Sequence, residues 1–362
     1  LCKINSGRWI QYAKSIARTL RKAGIIMPIV CTPDGKVING IGRLEMLAEL
    51  KADTCEVVYI SEDEAKFADA MMNLLTMDFN IHERYEDLLR YNSFRRARRV
   101  REELGHGFVF AVHGKNPCHT FDIFNPAQQA KWRKEHGNTI LDFGAGHLTE
   151  TNILNAAGFD CTPFEPYHIG VSEIDKGKSL EISKKFLEVV ASGKEFTSVF
   201  ISSVLNSVPF AKDREHIVCI CAALCRPFTK LYACASSTSE TGYRQVNGKA
   251  FHNESNAGNI AFRLEYESGI RIGDFQDKPK VQKYHTKKEF YDLFSPFFRD
   301  VKISEMSGNV CAKCENVRRI PWERLVEALQ FEFNLPYPDG SRMELVDDAI
   351  NAFKRRFKGI AV

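Results

Sequence analysis

The chain has 362 residues, with 50 Lys and Arg against 46 Asp and Glu, and 44% of its residues are hydrophobic. That composition is globular and excludes a collagen-like or wholly disordered chain; at roughly 150 residues per domain the length suits two or three domains. No stretch of about 18 apolar residues is present, which excludes a membrane-spanning helix, and the first residues, LCKINSGRWIQYAKSI, lack the apolar centre of a signal peptide. A cytoplasmic protein without a membrane partner is expected.

The net charge of +4 is unevenly placed. Residues 1–136 hold 21 Lys+Arg against 17 Asp+Glu, and residues 137–362 hold 29 against 29. The eleven cysteines are irregularly spaced, and Cys219, Cys221 and Cys225 lie in the apolar run CICAALC. Buried free thiols in a reducing compartment fit this better than a disulfide framework. Cys311 and Cys314 form one CxxC without a second ligand pair, so no metal site is expected.

In chain order, residues 9–23 are predicted as an amphipathic helix, followed by a strand at Ile25–Cys31, a turn at Pro33-Asp34-Gly35 and a short strand at Lys36–Asn39. Gly40-Ile41-Gly42-Arg43 then opens a helix over Leu44–Leu50. A strand at Glu56–Ile60 precedes Ser61 and Glu64, spaced as a capping box. The string MPIVCTPDGKVINGIGRLEMLAELKADTCEVVYI resembles the ParB/sulfiredoxin-type domain over residues 20–75. That resemblance implies a phosphate-binding turn at Gly40, Gly42 and Arg43, where glycines admit backbone N–H groups and the guanidinium adds donors. The family's His is Ile41 here, so a binding or docking module is expected in preference to nucleotide hydrolysis. The bland alternative is a tight strand-to-helix turn with Arg43 on the surface.

A long helix is predicted between Arg84 and Leu104, with Leu88, Tyr91, Phe94, Ala97, Val100 and Leu104 as its buried stripe. Arg95, Arg96, Arg98, Arg99 and Arg101 lie off that stripe. They read either as a solvated face or as contacts to a phosphate backbone. Residues 105–136 look like a connector, with a helix from Ala127.

The stretch Thr139-Ile140-Leu141-Asp142-Phe143-Gly144-Ala145-Gly146 is an apolar strand ending in an acid and a glycine turn. A second strand at Phe159–Phe164 ends in Glu165-Pro166, with Glu165 19 residues beyond Gly146. This is a βαβ unit with an acid at the tip of its second strand. The D-x-G-x-G order, Thr149 in place of a third glycine and the "FEP" string resemble the class I S-adenosylmethionine-dependent methyltransferases, over residues 127–320. The resemblance implies that Asp142, Phe143, Gly144, Ala145 and Gly146 surround the methionine part of the cofactor. It also implies that Glu165, with Pro166, accepts hydrogen bonds from the ribose hydroxyls. Ser202, Ser203 and Asn206, in "SSVLNSVP", would line the same pocket. A helix at Asp213–Leu224, a strand at Lys230–Ala235, a helix at Lys287–Phe294 and strands at Val301–Met306 and Val310–Val317 complete the pattern. Between the helix at 178–191 and the strand at 196 there is little room for a third strand with its adenine-contacting acid. No catalytic residue stands out, and the motifs of amino- and carbon-5-methylating DNA enzymes are absent.

Residues 237–285 form an insertion carrying Tyr243, Arg244, Lys249, His252, Arg263, Tyr266 and Arg271, suited either to recognising a base and a phosphate or to a surface hairpin. Helices are predicted at Trp322–Phe331 and Ser341–Phe357, the latter ending in the basic KRRFK.

The expected fold class is α/β: a Rossmann-like class I methyltransferase sheet at 127–320, with the insertion 237–285, preceded by a small α+β ParB/sulfiredoxin-like domain at 1–83. Residues 84–126 are the basic helix and connector, and 321–362 a helical extension. The arrangement resembles DNA-modifying proteins of phages and mobile elements. An S-adenosylmethionine-dependent methyltransferase of nucleic acid is expected, DNA in preference to RNA. The alternatives are a small-molecule or protein acceptor with the first domain as scaffold, and a non-catalytic nucleic-acid-binding protein.

Overall fold

The computed structural model describes residues 28–66, 85–93, 108–111, 119–122, 125–171, 173–240, 262–263, 266–273, 280–306 and 308–357. The predicted helix at 9–23 lies outside them. The chain divides into one unit of Leu1–Ile81 with Glu254–Ala257 and a second of His82–Asn253 with Gly258–Val362.

The first unit holds β1 (Ile29–Cys31), β2 (Val37–Asn39), α1 (Ile41–Glu49) and β3 (Val57–Tyr59). The sheet order is β2-β1-β3, with β2 antiparallel and β3 parallel to β1. The Asp-Gly turn closes as its chemistry requires: the Gly35 N–H donates to the Thr32 carbonyl, and Gly35 takes φ +87°. The capping box is reciprocal, with the Ser61 N–H on Glu64 Oε2 at 2.8 Å and the Glu64 N–H on Ser61 Oγ at 3.3 Å. Helix α1 starts at Ile41, three residues before the predicted start, because Leu44 N–H already bonds the Gly40 carbonyl.

In the second unit, α2 (Glu86–Ser93) precedes β4 (Phe108–Ala111) and β5 (His119–Asp122). The predicted connector therefore contains an antiparallel strand pair. The buried stripe of α2 is also rotated from the expected one. Leu89 is fully buried while Leu88 and Tyr91 are half-buried. The main alternation follows: α3 (Pro126–His136), β6 (Thr139–Phe143), α4 (Thr149–Ala156), β7 (Asp160–Phe164), α5 (Lys176–Ala191), β8 (Ser198–Ser202), α6 (Ala211–Leu224) and β9 (Lys230–Ser236). The insertion contributes β10 (Phe262–Arg263), β11 (Ile270–Gly273) and β12 (Lys280–Lys283), an antiparallel sheet of their own. Then come α7 (Lys287–Phe294), β13 (Phe298–Met306), β14 (Asn309–Val317), α8 (Trp322–Glu332) and α9 (Val346–Phe357).

The central sheet runs β13-β14-β9-β8-β6-β7. Strands β7, β6, β8 and β9 are parallel, and β14 and β13 close it antiparallel. The fold is thus mixed α/β with a parallel-rich sheet, as expected of a Rossmann-like domain. Six residues, 192–197, join α5 to β8. No strand forms there, and among the described residues β7 is an edge, in keeping with the little room expected for a third strand. The period of two sorts side chains to two cores. Leu141, Phe143, Val199 and Leu231 pack with α5 to α9, and Ile140, Phe200 and Tyr232 pack with Trp132 of α3 and Ile153 of α4. Cys311 and Cys314, three apart on β14, face opposite cores, so this CxxC cannot hold one ion between its two thiols.

Candidate functional site

Strands β7 and β8 lie on opposite sides of β6. Between β6 and β8 the winding reverses, and such a switch point opens a crevice beyond the carboxyl ends of the strands. The β6–α4 turn stands at that point. Gly144, Gly146 and Leu148 all have positive φ, at +81°, +58° and +61°. The left-handed Leu148 delays α4 to Thr149. The Gly144 and Ala145 N–H groups donate to the Phe164 carbonyl at 2.8 and 3.0 Å.

Glu165 completes the turn. Its Oε2 accepts from the Gly146 N–H at 2.5 Å and its Oε1 from the Tyr167 N–H at 2.9 Å. His168 donates through Nδ1 to the Gly146 carbonyl at 3.0 Å. The acid at the tip of β7 thus holds the glycine turn in place. The two glycines differ in their reason. A Cβ on Gly144 would collide with Val204, whereas one on Gly146 would meet nothing within 4 Å. Gly144 serves packing; Gly146 borders open space.

The other expected residues are placed as follows. Asp142 is buried and its Oδ2 accepts from Thr151 Oγ1 at 2.8 Å, which ties the strand end to α4. The Phe143 ring lies in the core, 4.6 Å from Phe164. Ala145 is buried, and the Pro166 carbonyl accepts from Tyr337 OH at 3.2 Å. Ser202 ends β8, and Ser203 turns the chain with φ +59°. Val204 brings that segment against Gly144. Asn206 is buried: its Nδ2 donates to Gln282 Oε1 at 3.3 Å, and Gln282 Nε2 donates to Ser236 Oγ at 2.7 Å. Asn206 Oδ1 has no hydrogen-bond partner. The backbone joins the same seam, with Lys283 N–H on the Asn206 carbonyl and His285 N–H on the Ser236 carbonyl. The last strand of the insertion is therefore stitched across the ends of β8 and β9.

In the first unit, Arg43 folds back on its own turn, with Nη2 on Asn39 Oδ1 at 3.0 Å, and Gly40 takes φ +102°. Gly42 lies in the first turn of α1. Arg95, Arg96, Arg98, Arg99 and Arg101 lie outside the described residues. Of the basic tail, Arg356 is buried. It donates to the Lys194 carbonyl at 2.6 Å and to the Leu224 carbonyl, at the end of α6, at 3.0 Å. That guanidinium is a helix cap, and burial lowers its pKa to about 10.

Three buried groups show the electrostatics around the crevice. Burial, then Asp213 and Glu165, pushes the Glu332 carboxyl well above the usual range. Burial, then Arg214 and Lys283, holds the His285 imidazole well below its ordinary value. Burial also raises the Tyr167 phenol. Sequence reasoning missed Tyr167, His168, Val204 and Gln282. Only Tyr167 and His168 carried a signal, as the residues directly after the acid-proline pair.

Strand order, switch point and the acid-held glycine turn define a Rossmann-like α/β fold. No protein-family model matches the chain, and no curated protein matches it. Solved structures do. A SAM-dependent methyltransferase from Methanosarcina mazei is 16% identical, over 54% of this chain and 99% of that one, with a TM-score of 0.33. The DesVI protein of Streptomyces venezuelae is 12% identical, over 54% and 91%, with a TM-score of 0.32. The glycopeptide N-methyltransferase MtfA, solved with S-adenosylmethionine, is 11% identical, over 52% and 92%, with a TM-score of 0.31.

Proposed function

We propose that the second unit is an S-adenosylmethionine-dependent methyltransferase. The observation that carries this reading is the Gly144–Gly146 turn locked by Glu165 at the switch point of the sheet. The residues suit the cofactor: Gly146 borders empty space a Cβ would enter, and the Glu165 carboxylate stands beside that space, on the Gly146 N–H. When bound, the cofactor supplies a methyl group on a sulfonium sulfur. Glu165 would hold the ribose hydroxyls. The turn would admit the methionine moiety against the backbone, and Ser202, Ser203 and Asn206 would border the reacting end. Alignment and exclusion of water are the contributions such a pocket makes.

For the acceptor, nucleic acid, DNA preferred, is supported by the run Arg95 to Arg101 in the sequence. On this reading the first unit, with its Gly40–Arg43 turn, is a docking module, as its ParB-like string suggests. A small-molecule acceptor is favoured by a different observation, the closure of the β8 and β9 ends by β12.

Calorimetric titration of S-adenosylmethionine into the wild type and Glu165→Ala tests the cofactor, with binding expected in the first and lost in the second. A labelled-methyl screen over DNA, RNA and cell extract then tests the acceptor. DNA affinity that falls with salt, and falls further when Arg95, Arg96, Arg98 and Arg99 become Ala, supports nucleic acid. Absence of cofactor binding by the wild type refutes the reading.

A further inference from the structure

Among the described residues the central sheet ends in β7 on one side and β13 on the other, and the chain treats these two edges differently. On β7 the Asp160 N–H bonds the Asn138 carbonyl and the Phe164 carbonyl accepts from Gly144, so the even residues face β6 and Cys161 and Pro163 face outward. The Asn155 side-chain amide takes both outward groups of Cys161, the N–H at 2.8 Å and the carbonyl at 3.0 Å. Pro163 has no N–H to offer a further strand. Lys194 lies along the same edge, on Asp160 Oδ1 at 2.6 Å and Thr162 Oγ1 at 3.0 Å. The β7 edge is thus closed to pairing, by devices natural sheets use for that purpose.

Strand β13 has neither a proline nor, among the described residues, a side-chain amide on its backbone. Its nine residues, Phe298–Met306, pair with β14 in one unbroken register. Val301 and Ile303 are half-buried on it, and α7, which packs against it, leaves Tyr291 46% exposed. The charges on the other face are arranged unusually. Asp300 lies directly opposite Glu315, and Lys302 directly opposite Lys313. Like charges facing each other across a ladder are unfavourable. Lys313 and Glu315 answer each other along β14 at 3.4 Å. Asp300 is left with the Asn316 amide, and Lys302 has no ion-pair partner among the described residues.

A lone lysine on an edge repels a second copy of that edge; an acid two residues away reverses this in one register. Residues opposite one another in an antiparallel pair are either both hydrogen-bonded or both not, so a strand that pairs with its own copy centres on a residue. Centred on Asp300 or on Lys302, β13 would set that charge against itself. Centred on Val301, the two valines meet, and Asp300 faces the partner's Lys302 on both sides of the axis. Arg299 then lies opposite the partner's Ile303.

We propose that β13 is the surface on which two copies of this chain associate, antiparallel about Val301, so that their central sheets continue into one another. The pairing reverses strand direction, which puts the two β6–α4 turns at opposite margins of the joined sheet. The association does not depend on the methyltransferase reading.

Sedimentation velocity of the full chain tests this, with a shift from 41.2 kDa toward twice that mass expected across roughly 1 to 100 μM. Lys302→Glu sets acids face to face at both pairs, and Asp300→Lys sets lysines face to face. Each alone is expected to weaken the dimer about tenfold or more. Both positions are exposed, and each substitution removes a like-charge pair with β14, so both variants should fold. An equimolar mixture of the two variants has opposite charges at both pairs and is expected to associate as the wild type does. Amide exchange within Phe298 to Ser304 is expected to slow as concentration rises. A chain that stays at 41.2 kDa throughout overturns the proposal. So do a dimer that both variants leave intact, a loss that mixing does not repair, and exchange in this strand that ignores dimer formation.

Discussion

The two glycines of the β6–α4 turn should respond differently to the same small change. Gly144→Ala forces a side chain into φ +81° and drives its Cβ into Val204. The left-handed conformation costs about 1–2 kcal/mol and overpacking roughly 1–3. The stiffer unfolded chain returns about 0.4–1. The net loss is about 2–4 kcal/mol, and at roughly 2–4 °C per kcal/mol the melting transition of the second unit should fall by about 5–15 °C. Gly146→Ala meets no neighbour within 4 Å, so only the conformational cost remains. Its transition should move by no more than about 6 °C, while S-adenosylmethionine affinity falls because the methyl enters the space beside Glu165. Calorimetric melting and titration of both variants provide the assay. Adding Val204→Ala to Gly144→Ala should recover about 1–2 kcal/mol relative to additivity. Equal melting shifts for the two glycines, or strict additivity with Val204→Ala, would refute the reasoning.

Glu165→Gln puts an amide against two backbone donors and should weaken S-adenosylmethionine at least about tenfold with a stability loss of about 1–3 kcal/mol; titration and melting of this variant check both. Stability should depend on pH through two groups. The Glu332 pKa is raised in the folded state, so the unfolded chain releases this proton first as pH rises, and stability falls upward from the ordinary carboxylate range. Glu332→Gln should flatten that slope in melting curves taken across pH. His285 is depressed instead, so its contribution is present above the ordinary imidazole value and is lost as pH falls below it. Arg356→Ala leaves the Lys194 and Leu224 carbonyls without their donor and should cost about 2–4 kcal/mol by denaturant unfolding, with Arg356→Lys in between.

The βαβ unit was legible because its signals are local. Apolar residues from Thr139 to Leu141, two glycines and an acid 19 residues on are sufficient to place turn and tip. The short link that denies a third strand was legible for the same reason. What the turn touches was not. Val204 lies 60 residues from Gly144, and Gln282 lies 76 from Asn206. The Arg90–Asp213 pair spans 123 residues. No period or spacing connects such partners; only the folded sheet does. The stripe of α2 was misplaced because Leu88 and Leu89 are equal candidates until α2 meets its neighbours. The role of the basic tail was not legible because a sequence shows charge and not burial, whereas Arg356 faces inward onto two carbonyls.

The extension after residue 320 belongs to the site's support. Phe333 lies 5.4 Å from Phe164 and stacks on Phe186 at 6.3 Å. Tyr337 OH bonds the Pro166 carbonyl, one residue past the acid, and Lys176 reaches Asp339. Leu325, Leu329, Leu335, Met343, Leu345 and Phe353 share a core with Leu141 and Phe143 of β6. Each such side chain is worth roughly 1.5–3 kcal/mol when buried, against a total stability of about 5–15 kcal/mol. A chain ending at Ile320 would uncover Phe164 and Phe186 beneath the glycine turn and lose the contact that fixes Pro166. It should therefore lose its cooperative melting transition, bind hydrophobic dyes and fail to bind S-adenosylmethionine. A truncated chain that still melts cooperatively and binds the cofactor with wild-type affinity would show that β6, β7 and Glu165 hold the turn without this cover, and the account of the extension would fail.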